Sequence, residues 1–182
     1  MLNCVLCGSP AVAPVINGSP SPQAWRAVMA GRLFAGGLET GDGPRWYCHN
    51  CSSEFSSGEP YSHEHLNRIQ AAILDLPSQS LECLKEEMLG RRGAIHTAFG
   101  FASQGATAVR IHATSDDTHT VALLDGKWVD FDWPIAQYLP QMLNSLHRGD
   151  FPRSVYINHK LVPIDVCEVS EGGSGMLLVF KP

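Results

Sequence analysis

The chain has 182 residues, 44% hydrophobic and 17% charged, with a formal net charge of −5. That apolar content argues against a disordered chain, and the acidic balance disfavours a phosphate backbone as main partner, since Arg91 and Arg92 form the densest basic spot. The start has neither a basic n-region nor an apolar h-region, and no apolar run approaches the roughly 20 residues of a membrane span. The expectation is a soluble, cytoplasmic protein with no membrane partner, whose six cysteines serve as metal ligands or free thiols rather than as disulfides.

Residues 1–58 are rich in Gly, Pro and Ser and show little apolar periodicity, so this stretch needs a staple to offset its ordering entropy. Two Cys-x-x-Cys pairs supply one. Zinc takes four tetrahedral ligands, and two residues between cysteines let one tight turn aim both sulfurs at the same ion. Cys4, Cys7, Cys48 and Cys51 therefore make the candidate ligand set for one structural zinc, with Gly8 suited to a knuckle that needs positive φ.

Two other readings compete. A redox Cys-x-x-Cys belongs at a strand-to-helix junction in a βαβ context, which neither pair has. A disulfide pairing runs against the compartment expected. The segment 8–47 between the pairs is longer than the common spacing of about 15 to 20 residues.

This first third resembles a family of small bacterial zinc-ribbon proteins. The resemblance is carried by Cys4-Val5-Leu6-Cys7-Gly8-Ser9, by the run from Pro14 to Pro22, by Gly36-Gly37, by Gly41 to Cys48, and by Cys48-His49-Asn50-Cys51-Ser52-Ser53-Glu54-Phe55. It covers residues 2–56 and implies a ribbon fold and a metal, without implying a reaction. Ser52 stands where such ribbons commonly have glycine, so the second knuckle is expected to differ in detail.

Residues 59–93 read as a helical connector. Leu66, Ile69, Ile73 and Leu76 form one apolar stripe, with Ser62 as N-cap and Pro77 as stop. Ser80 caps a second helix carrying Leu81, Leu84 and Met88, ended by Gly90.

Residues 94–182 turn to β patterns. Ala94–Phe101 and Thr107–Thr114 are candidate strands, and Thr120–Asp132 is a hairpin about Asp125-Gly126, a pair suited to a type I′ turn. Its two partly apolar faces place it centrally in a sheet. A helical stretch follows, interrupted by Pro140 and ended by Gly149, and then strands over 155–161, 162–169 and 176–181. The fold class is α+β: an N-terminal zinc ribbon, a short helical connector, and a mostly antiparallel C-terminal sheet with one or two helices.

Outside the four cysteines, His63 and His65 read as exposed polar residues at a helix start. His112, Asp116, Asp117 and His119 cluster between two strands, either as an ordinary polar loop or as a second metal or acid–base site. Cys83 and Cys167 read as small buried hydrophobes. Trp128, Phe131, Trp133 and Tyr138 read as core or partner interface, and Trp25 and Trp46 as cover for the junction with the second domain. No P-loop, Gly-x-Ser-x-Gly or His-Glu-x-x-His is present.

The functional expectation is a zinc-binding accessory or adaptor protein acting on another protein, without catalysis. The alternatives are a metal-dependent hydrolase-like enzyme using His112, Asp116, Asp117 or His119, and nucleic-acid binding through the ribbon. The last requires Arg26, Arg32, Arg45, Arg91 and Arg92 on one face.

Overall fold

The computed structural model describes residues 2–37, 45–56, 63–76, 78–114, 117–169 and 174–181. The chain divides into two compact units, Met1–Met88 and Leu89–Pro182. No helix among the described residues is long and apolar enough to cross a membrane.

In the first unit, β1 (Val12–Ile16), β2 (Phe34–Ala35), β3 (Arg45–Cys48) and β4 (Glu54–Ser56) form one sheet in the order β2-β1-β3-β4. β1 runs parallel to β2 and antiparallel to β3, and β4 pairs antiparallel with β3. Between β1 and β2 lies α1 (Pro22–Met29), which sequence periodicity did not reveal. Its signal is local: the Ser21 hydroxyl accepts the Ala24 amide at 3.2 Å, and Pro22 opens the first turn with φ already set.

Ala24, Ala27 and Leu33 meet Ala72 of α2 (His63–Leu74) in a small core, with Ile16, Val28, Ile69, Ile73 and Leu76 against it. The segment expected to lack a core thus has a modest one, made largely of alanines too small to register as an apolar stripe. The stripe anticipated on α2 is also rotated. Ile69, Ile73 and Leu76 pack inward, whereas Leu66 is exposed and His65 takes the inward position one residue before it. Ser62 and Pro77 lie outside the described residues.

Ser80 does cap α3 (Leu81–Ser103), its hydroxyl accepting the Cys83 amide at 3.2 Å. The helix does not stop at Gly90, and 94–101 is helical rather than a strand. A β-carbon on Gly90 would stand 2.3 Å from the Gln141 carbonyl oxygen, and one on Gly100 would stand 2.5 Å from the Trp133 ring. These glycines permit close approach, and tertiary packing overrides their helix-breaking tendency.

In the second unit, β5 (Ala108–Ala113), β6 (Thr118–Leu124), β7 (Lys127–Phe131), β8 (Ser154–Ile157), β9 (Lys160–Val169) and β10 (Ser174–Phe180) form a wholly antiparallel sheet in the order β7-β6-β5-β10-β9-β8. Val109, Ile111, Ala122, Ile164, Met176, Leu178 and Phe180 pack into one core with Ala94, Ala98 and Phe101 of α3 and with Leu139, Met142 and Leu143 of α4 (Leu139–Arg148). Alternation on β9 holds: Val162, Ile164 and Val166 turn inward, and Pro163, Asp165 and Cys167 are exposed.

Pro140 falls in the first turn of α4, after a 3₁₀ turn over Pro134–Tyr138, so the interrupted stretch becomes two short helices. Gly149 closes α4 with φ 80°. The hairpin turn is left-handed at Asp125 (φ 48°) and Gly126 (φ 77°), as type I′ requires. A second such turn at Asn158 (φ 48°) and His159 (φ 65°) splits the expected strand 155–161 into β8 and the start of β9. The β6–β7 hairpin is peripheral, with β7 at the sheet edge. Partly apolar faces suggested a central position, but Trp128 and Val129 remain 52% and 42% exposed.

Candidate metal centre

The two knuckles are geometrically alike. The Gly8 amide donates to the Cys4 carbonyl at 2.9 Å, and the Ser52 amide donates to the Cys48 carbonyl at 2.9 Å. One residue further on, the Cys4 amide donates to the Ser9 carbonyl at 2.8 Å and the Cys48 amide to the Ser53 carbonyl at 2.9 Å. Both turns need a left-handed residue at the same place, Gly8 with φ 81° and Ser52 with φ 56°. The second knuckle, expected to differ, keeps the same turn and carries the backbone cost on a serine. Ser52→Gly should therefore stabilise the metal-loaded protein by up to about 1 kcal/mol and so raise its melting temperature. An unchanged or lower value in differential scanning calorimetry would contradict this.

β3 carries Cys48 at its end, and the first knuckle leads into β1, so the register Val12↔Cys48 brings the two pairs together. The four sulfurs all lie within 4.8 Å of one another. Cys4 Sγ is 3.7 Å from Cys51 Sγ, and Cys7 Sγ is 3.6 Å from Cys48 Sγ. A disulfide needs about 2.05 Å. A tetrahedral ion with metal–sulfur bonds of about 2.3 Å sets sulfurs about 3.8 Å apart. The spacing fits a shared ion. All four cysteines are free, with Cys4, Cys7 and Cys48 buried. The cluster can hold a metal ion, and among the described residues no other group of three or more His, Cys, Asp or Glu side chains can.

Sequence reasoning missed one contributor to this cluster and one buried histidine of the same unit. Asn50, 6% exposed, donates its amide to Cys7 Sγ at 3.5 Å, the kind of outer hydrogen bond that steadies a thiolate. Its only signal was an amide residue inside the knuckle. The other is His65, expected at the surface but 2% exposed, with its ring edge-on to Trp46 at 4.8 Å. Arg68 lies over the same indole at 5.3 Å. Burial, with Arg68 adding to it, holds the His65 imidazole below its usual value, which keeps it neutral behind β3. Trp46 is thus buried within its own unit, while Trp25 is 40% exposed.

Burial pushes the Cys7 thiol up to about 11 and pushes Cys48 up as well. Cys4 is also raised by burial, but the Cys7 and Leu6 amides and the neighbouring sulfurs outweigh this and leave it below 9.0. A metal ion must displace the protons held on Cys7 and Cys48, so its affinity should fall as pH falls. Competition against a chromophoric chelator between about pH 8 and about pH 6 should show that loss with proton release. A pH-independent affinity would contradict this assignment.

The second set does not converge in the same way. His112 and His119 face each other across β5 and β6, and His119 Nε2 lies 3.7 Å from an Asp117 carboxylate oxygen, both side chains being exposed. Asp116 lies outside the described residues. Asp117 and His119 instead line an open depression with Thr118, Thr120, Asp130, Phe131 and Asp132. Cys83 and Cys167, expected to be buried, are both exposed.

Of the arginines a nucleic-acid face requires, Arg32 pairs with Asp75, Arg45 with Glu54, and Arg26 donates to the Gln79 carbonyl. These charges serve the first unit internally. No family model, curated protein or solved structure matches this chain.

Proposed function

We propose that this protein is a zinc-dependent adaptor: one zinc ion on Cys4, Cys7, Cys48 and Cys51 shapes a ribbon, and the protein acts by binding another protein. The observation that carries this reading is the all-sulfur cage. Four thiolates are a structural zinc set, and they leave no open position for water or substrate. Kinship with bacterial zinc ribbons belongs to the same proposal and rests on the two knuckles and their flanking residues. The exposed Val5 and Leu6 at the tip of the first knuckle suit contact with a protein partner.

The hydrolase-like alternative lacks a specific supporting observation, because His112, Asp117 and His119 make no metal-sized cluster. Complexes isolated at native abundance should contain a stoichiometric partner that is lost on chelation, with about one zinc per chain. A second metal per chain together with hydrolytic turnover would replace the adaptor with an enzyme.

A further inference from the structure

The β6–β7 hairpin has a two-residue loop, so Leu124↔Lys127, Ala122↔Val129 and Thr120↔Phe131 are the hydrogen-bonded pairs of the ladder. Trp128 and Asp130 fall at the alternate positions, and their N–H and C=O groups point away from β6. Among the described residues no strand lies on that side of β7. Lys127, Trp128, Val129 and Asp130 are all exposed. A bare edge of this kind is a template for another strand.

The end of the same strand enters the depression lined by Asp117, Asp130 and Asp132, with His119 and Phe131 beside them. Thr120 lines it too, is 2% exposed, and its hydroxyl has no hydrogen-bond partner. Asp117 and His119 approach each other, but no three of these carboxylates and His119 come close enough together to enclose a metal ion. That spacing suits a larger cation, such as a guanidinium or ammonium group with several donors, and Phe131 offers an aromatic wall.

The geometry points to β7 as the docking edge for an extended basic segment of a partner protein. The segment adds a strand through the Trp128 and Asp130 backbone, and an arginine or lysine of that strand reaches Asp117, Asp130 and Asp132. Charge complementarity decides the occupant: three carboxylates ring the depression at one end of the edge, against Lys127 at the other end. The inference rests on the adaptor reading and names the partner's chemistry.

The test uses the full zinc-loaded chain and a fluorescent peptide of about eight alternating valine and threonine residues carrying two arginines. A glutamate counterpart serves as control. Anisotropy should show binding of the arginine peptide alone, weakening as salt rises. Asp130→Asn combined with Asp132→Asn should weaken it about tenfold. Trp128→Pro removes one outward N–H without breaking a bond to β6, and should abolish binding while circular dichroism stays unchanged. If the proline variant does not fold, the asparagine pair decides the matter alone.

Equal binding of both peptides overturns the proposal, as does indifference to the asparagine pair or to a folded proline variant. A dimer that dissociates in the asparagine pair and excludes the peptide also overturns it, by giving the edge to a second copy of the chain. A native partner retained by Trp128→Pro but lost on chelation leaves the adaptor standing and sinks the edge. Absence of any partner, with hydrolytic turnover, sinks the adaptor itself.

Discussion

Cys48→Ser should unfold the first unit while leaving the second with its own cooperative transition. Cys48 is fully buried, ends β3, and its sulfur lies 3.6 Å from that of Cys7. Losing it removes one of four ligands and leaves the others around an incomplete shell. Structural zinc supplies roughly 10 to 16 kcal/mol of apparent folding free energy in zinc-finger peptides, so even partial loss exceeds the stability of a small unit. The core around Ala24, Ala27, Leu33 and Ala72 is small, and Val15, Trp46, Tyr47 and Phe55 are buried on β1, β3 and β4, the strands beside the cysteines. Amide exchange should accelerate across β1, β3 and β4 and stay slow in β5 and β10. Cys167→Ser, at an exposed thiol outside the cluster, is the control and should change neither. Retained protection of β3 in Cys48→Ser would show that metal does not shape this unit.

Gly90→Ala should destabilise the second unit, although alanine is the better helix former by about 1 kcal/mol. The added β-carbon would sit 2.3 Å from the Gln141 carbonyl oxygen and 2.9 Å from its carbonyl carbon, so α4 would have to move as a body. Overpacking of this kind costs about 1 to 3 kcal/mol, and with backbone as the obstacle the cost outweighs the propensity gain. A net loss of about 1 kcal/mol lowers the melting temperature by roughly 4 to 8 °C in a unit of this size.

Gly93→Ala is the matched comparison. There the new atom meets the Met142 side chain at 3.2 Å, and a flexible thioether can give way. That variant should stay within about 0.5 kcal/mol of the parent. Equal stabilisation by both alanines would mean that α3 and α4 are not in close contact at Gly90.

What was legible in the sequence was whatever short-range geometry fixes. Two Cys-x-x-Cys pairs, Asp125-Gly126, Gly149 and the alternation of 162–167 each force a local shape, and the structure has them. Features that depend on distant partners were misread. Gly90 read as the end of a helix and Gly100 fell inside a candidate strand, because nothing nearby in the chain reveals Gln141 or Trp133. Ala94–Phe101 carries residues acceptable to strand or helix, and packing of Ala94, Ala98 and Phe101 into the core decides for the helix.

His65 read as surface because its cover, Trp46, is contributed by a strand earlier in the chain. The hairpin read as central because apolar content on both faces can mark a buried sheet or an edge that meets a partner. The candidate metal site was legible in its ligands but not in its surroundings: Asn50 could be assigned a role only once its amide was seen against Cys7 Sγ.

Thiol alkylation counted by intact mass is the most direct measurement on the central claim, that four sulfurs far apart in sequence share one ion. The chain has six cysteines, of which Cys83 and Cys167 are exposed and lie outside the cluster. The protein as purified should take two alkyl groups and carry about one zinc, and after chelation it should take six. Six groups before chelation, or a mass two hydrogens short from a Cys4–Cys51 or Cys7–Cys48 disulfide, would contradict the account.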